Sequence, residues 1–89
     1  MTKNEIIEAV ARKAHLTKKA AREAVETLLV EIGRALVKGE RVILTGFGTF
    51  AVTQRGKRKM FLRGKEEEIN PYRAPKFQPG KALKRLIRK

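Results

Sequence analysis

Between Thr53 and Lys65 the chain carries Arg55, Lys57, Arg58, Lys59, Arg63 and Lys65 and no acid. So many cationic groups in one stretch do not build a core. What they do is displace counterions condensed on a polyphosphate, each contact adding to the release. The rest of the chain is skewed the same way. Residues 1–52 hold 9 Lys and Arg against 6 acids, net +3, whereas residues 53–89 hold 13 against 3, net +10. The formal total of +13 over 89 residues exceeds what solubility requires and makes a small monomer repel itself. It suits a polyanionic partner such as nucleic acid. A merely solvated surface would mix both signs. The first half therefore reads as scaffold and the second as working surface.

Those charges need elements to hold them. Thr2 followed by Glu5 reads as a capping box, and Ile6, Ile7, Val10, Ala11 and Ala14 recur at helical spacing, predicting a helix over residues 3–14. Thr17 is the next N-cap. Ala21, Val25, Leu28, Ile32 and Leu36 form one stripe behind it, and Gly39 stops the helix as a C′ glycine. The two helices make a hairpin with an apolar core seam. Arg41-Val42-Ile43-Leu44 and Thr49-Phe50-Ala51-Val52 then read as strands joined by a turn containing Gly46 and Gly48. The basic stretch is either a loop or a projecting hairpin, and a hairpin turning at Arg63-Gly64 fits better. That turn sets Lys59 opposite Glu68 and Arg55 opposite Tyr72. Pro75-Lys76-Phe77-Gln78-Pro79 is a short or edge strand. Gly80 leads into a last helix with Ala82, Leu83, Leu86 and Ile87 on one face.

Other chemistries find no support. There is no Cys, so no disulfide or thiolate metal site. The lone His15 reads as structural, and no paired His and acid or nucleophile motif suggests an enzyme. Glu66-Glu67-Glu68 lies among basic residues and reads as a charge patch stabilising the hairpin. No metal, cofactor or small-molecule substrate is expected. The apolar runs are too short to span a membrane, the helices have mixed charge rather than a membrane-active face, and nothing suggests export. A cytoplasmic, nucleoid-associated location is the expectation.

Gly46-Phe47-Gly48-Thr49-Phe50 followed by Pro75-Lys76-Phe77-Gln78-Pro79-Gly80-Lys81-Ala82-Leu83-Lys84 closely resembles the bacterial histone-like HU and integration host factor family. The helix–helix–strand order and the length match as well, so the resemblance covers nearly the whole chain. It implies an α+β fold: a helical hairpin (1–39), saddle strands (40–52 and 73–79), a β-ribbon arm (53–72) and a C-terminal helix (80–89), in one domain. It also implies an intertwined homodimer whose arms reach around the minor groove of double-stranded DNA. Dimerisation is plausible on physical grounds too, since so small a chain with a projecting arm has little core of its own. Phe47, Phe50 and Phe77 are then candidates for a shared hydrophobic centre.

One departure from the family pattern stands out. The family arm usually ends in Arg-Asn-Pro, whose proline wedges between base pairs, but this chain has no proline between Thr53 and Asn70. Its arm is about two residues shorter than usual, counted from Phe50 to Lys81. The tip reads Met60-Phe61-Leu62-Arg63-Gly64. Met, Phe and Leu are wedge residues in minor-groove binders; alternatively they pack on the saddle or the partner subunit. The expected DNA-binding set is Lys3, Gly46, Gly48, Arg55, Lys57, Arg58, Lys59, Arg63, Lys65, Arg73, Lys76, Lys81 and Lys84. Arg55, Arg58 and Lys59 lie along the arm. Lys81 and Lys84 open the last helix, where amide groups also favour a phosphate. The function expected is low-specificity architectural DNA binding. A sequence-selective bending factor and a small RNA-binding or ribosome-associated protein are the alternatives.

Overall fold

The computed structural model describes residues 1–55, 58–62, 64–69 and 72–88, with side chains for 1–54, 64–65 and 72–88. It consists of two compact units, Met1–Arg34 and Ala35–Lys89.

The first unit holds α1 (Lys3–Lys13) and most of α2 (Lys18–Val37). Thr2 caps α1: the Glu5 amide donates to Thr2 Oγ1 at 3.2 Å, and that hydroxyl donates on to the Glu5 carboxylate at 3.3 Å. The cap differs from a full capping box in that Glu5 engages the hydroxyl rather than the Thr2 amide. Thr17 caps α2 by accepting from the Ala20 amide at 3.1 Å. Between the helices His15 takes a left-handed conformation (φ 57°), and the Leu16 amide donates to Ala11 O at 2.9 Å. This is a Schellman-type helix end with His where glycine is usual.

Ile7, Ala11 and Ala21 are buried, with Val10 and Val25 packed beside them. Burying one isoleucine contributes roughly 1.5–3 kcal/mol, so this is a thin core. The predicted seam along α2 is only partly buried. Val25, Ile32 and Leu36 are half-buried, but Leu28 is 50% exposed and its neighbours Leu29 and Val30 are 51% exposed. Helical periodicity located the stripe correctly but overstated how much of it one chain covers.

The second unit begins with the end of α2. Gly39 (φ 81°) reverses the chain there, with the Gly39 amide donating to Leu36 O and the Glu40 amide to Ala35 O, both at 2.9 Å. This completes a Schellman motif. Three strands follow in the spatial order β1 (Val42–Leu44), β2 (Gly48–Arg55) and β5 (Tyr72–Pro79), all antiparallel. The β1–β2 turn needs Gly46 at φ 88°, and the Phe47 amide closes it onto Leu44 O at 2.9 Å. β5 is an edge strand, which accommodates Pro75 and Pro79, but at eight residues it is not short. β3 (Arg58–Leu62) and β4 (Lys65–Ile69) form the ribbon, turning at Gly64 (φ 75°). Lys59 pairs with Glu68 and Arg55 with Tyr72, the register expected from that turn. From the Arg55–Tyr72 pair to the Arg58–Ile69 pair each strand advances three residues, so the ribbon keeps the sheet's register. The chain ends in α3 (Lys81–Ile87).

Candidate nucleic-acid interface

Side chains alternate across a strand, so the register divides the three-stranded sheet into two faces. Val42, Leu44, Phe50, Val52, Pro75 and Phe77 share one face. Phe77 sits 4.8 Å from Phe50 and 5.4 Å from Phe47 between ring centroids, both pairs tilted. Tilted ring pairs at that spacing are favourable beyond their area. Yet Phe47 is 47% and Phe77 38% exposed. Gly48 makes room for the cluster, since a Cβ there would lie 2.5 Å from the Phe77 ring and 2.7 Å from the Gln78 carbonyl oxygen.

The opposite face carries Thr49, Ala51 and Thr53 on β2, with Gln78, Lys76 and Ala74 across from them on β5, Ile43 beside Thr49 on β1, and Tyr72 across from Arg55. Lys76 and Tyr72 are exposed. Thr53 Oγ1 donates to Ala74 O at 3.3 Å, tying the two strands side chain to backbone. At the end of β5 the Gly80 amide donates to Phe47 O at 2.8 Å, which pins the start of α3 to the β1–β2 turn. Lys81 and Lys84 follow directly, both exposed. α3 is only seven residues long and Gly80 gives it no side-chain cap.

The other expected residues fall in different places. Lys65 is exposed at the start of β4, opposite Leu62. Lys3 opens α1 in the helical unit, where its Nζ lies 3.5 Å from Glu26 Oε1. Gly46 and Gly48 serve the turn and the aromatic cluster through their shape. Arg73 lies on the apolar side of the sheet beside Gln54, and its guanidinium donates to Leu36 O at 3.0 Å and Val37 O at 3.1 Å. It caps the C-terminal carbonyls of α2. The backbone of Lys57 and Arg63, and the side chains of Arg55, Arg58, Lys59, Met60, Phe61 and Leu62, lie outside the described residues.

The chain matches the family model for bacterial DNA-binding proteins over residues 1–88. It is 44% identical to DNA-binding protein HU of Staphylococcus aureus over 90 aligned positions, covering 99% of this chain and all of that protein. Among solved structures it is similar to an Anabaena HU–DNA cocrystal structure, with a TM-score of 0.94, 35% identity, and 98% and 97% of the two chains covered. It is also similar to HU from Thermotoga maritima, with a TM-score of 0.73, 38% identity and 98% of each chain covered.

Proposed function

We propose that this chain, which belongs to the bacterial DNA-binding protein family, binds double-stranded DNA with low sequence specificity and bends or compacts it in the nucleoid. The observation that carries this reading is the division of the sheet. One face carries Val42, Leu44, Phe50, Val52, Pro75 and Phe77, while the other presents exposed Lys76; exposed Lys81 and Lys84 follow the end of β5, and the paired strands continue in register into a ribbon that carries Arg58, Lys59 and Lys65. A surface of this kind reads phosphates, which position a protein on DNA without specifying a sequence. The role is architectural rather than enzymatic, and residues 1–89 act as one functional unit.

The active form is a homodimer. Leu28, Leu29, Val30, Phe47, Phe77, Leu86 and Ile87 are each at least 38% exposed in the single chain, and a second copy covers such groups. Sedimentation equilibrium at micromolar concentration should give twice the chain mass; a stable folded monomer contradicts the proposal. At the ribbon tip, Met60, Phe61 and Leu62 act as the wedge in place of the family's proline. Phe61→Ala should then reduce DNA bending and leave the melting temperature unchanged; unchanged bending with lower melting makes Phe61 a packing residue.

The test of the function itself is a binding titration with linear duplex, nicked duplex and structured RNA at two salt concentrations. Tight, salt-sensitive duplex binding, strengthened by the nick, is expected. A preference for RNA overturns the reading, and strong selection of one duplex sequence points to a site-specific bending factor.

A further inference from the structure

Tyr72 and Arg73 are neighbours in sequence on opposite faces of β5, and the structure gives each a use that its side-chain type alone does not suggest. Arg73, the charged residue, turns to the apolar side and hydrogen-bonds the last carbonyls of α2. Tyr72 pairs with Arg55 on the face that carries Thr53 and Lys76. It stands where the three-stranded sheet passes into the ribbon. The tyrosine is 47% exposed, and the ring pairs among the described residues, Phe47–Phe77 and Phe50–Phe77, do not include it. A half-exposed phenol on a strand face of small and polar residues, with Ala51, Thr53, Ala74 and Lys76 as its described neighbours, contributes little to the core. It does match a nucleic-acid backbone, which offers an apolar sugar edge beside an acceptor oxygen, and tyrosine is among the side chains that contact phosphate and sugar.

We propose that Tyr72 is a DNA-contacting residue at the root of the arm, its ring against a deoxyribose and its hydroxyl donating to a phosphate, while Arg73 positions the strand. This rests on the DNA-binding reading above. The contact is uncharged, so it adds affinity without adding to the salt dependence, which counts cations on phosphates.

The protein provides its own probe, having one tyrosine and no tryptophan. Titrating the intact protein with duplex DNA should change the tyrosine emission in step with binding measured independently by anisotropy of labelled DNA. Tyr72→Phe should weaken binding about fivefold, the loss of one hydrogen bond to a charged group at a partly exposed site. Tyr72→Ala should weaken it about tenfold or more by also removing the ring contact. Both variants should keep the native salt slope and, being exposed, the native melting temperature. Tyrosine emission that stays constant through saturation, or Tyr72→Ala binding within twofold of the parent, overturns the inference. Failure of the parent itself to bind duplex DNA would instead overturn the function on which it rests.

Discussion

In the helical unit, Met1–Arg34, seven basic residues face five acids, and Lys3–Glu26, Lys18–Glu8 and Arg34–Glu31 lie at 3.5, 3.6 and 3.9 Å. In the strand unit, Ala35–Lys89, fifteen basic residues stand against four acids, and none of the ion pairs among the described residues lies there. Exposed pairs like these add little stability. With seven basic residues against five acids the helical unit is nearly neutral, so it competes weakly for a polyanion. The strand unit carries a net +11. Net charge is thus concentrated in one part of a small chain.

The sharpest way to break that division is to remove three charges from each unit. Replacing Lys76, Lys81 and Lys84 with Ala should weaken duplex binding roughly a hundredfold at moderate salt. Replacing Arg12, Lys13 and Arg22 should cost less than about a tenth of that. Equal losses in an anisotropy titration would mean the charge is used globally. The next largest effect is on folding. Gly48→Ala should lower stability by about 2 kcal/mol, because its Cβ would collide with Phe77 and the Gln78 carbonyl. Chemical denaturation at fixed protein concentration checks this, and a change below about 0.5 kcal/mol would show that the aromatic cluster yields easily.

Arg73→Ala should cost about 1 kcal/mol through the two lost carbonyl contacts while duplex affinity stays within twofold. The opposite pattern would return Arg73 to the DNA face. Smallest of all, His15→Gly should raise stability by about 0.5 kcal/mol. It relieves a left-handed conformation costing roughly 1–2 kcal/mol, partly offset by the greater freedom of glycine in the unfolded chain. A lower melting temperature would show that the imidazole makes a compensating contact.

Much of this was legible in the residues because it is local. Thr2, Thr17 and Gly39 mark helix ends through their own backbone and side-chain chemistry. A single turn at Gly64 was enough to set Lys59 against Glu68 and Arg55 against Tyr72. What sequence concealed depends on what lies across a face. Periodicity finds the α2 stripe but cannot say that Leu28 stays half-exposed in one chain. Charge nominates Arg73 for phosphate, whereas strand alternation turns it toward Leu36 and Val37. Gly48 fits a turn and a close approach to a ligand equally well, and only the Phe77 ring beside it shows which neighbour needs the space.

If cations of the strand unit hold the DNA backbone, the duplex affinity of the intact protein must fall steeply as salt concentration rises. On logarithmic axes each neutralised phosphate contributes a slope of about −0.9. Three lysines from each of two subunits alone should therefore give about −5, and the two arms should steepen it further. A slope near zero, with affinity unchanged across the salt range, would contradict the account.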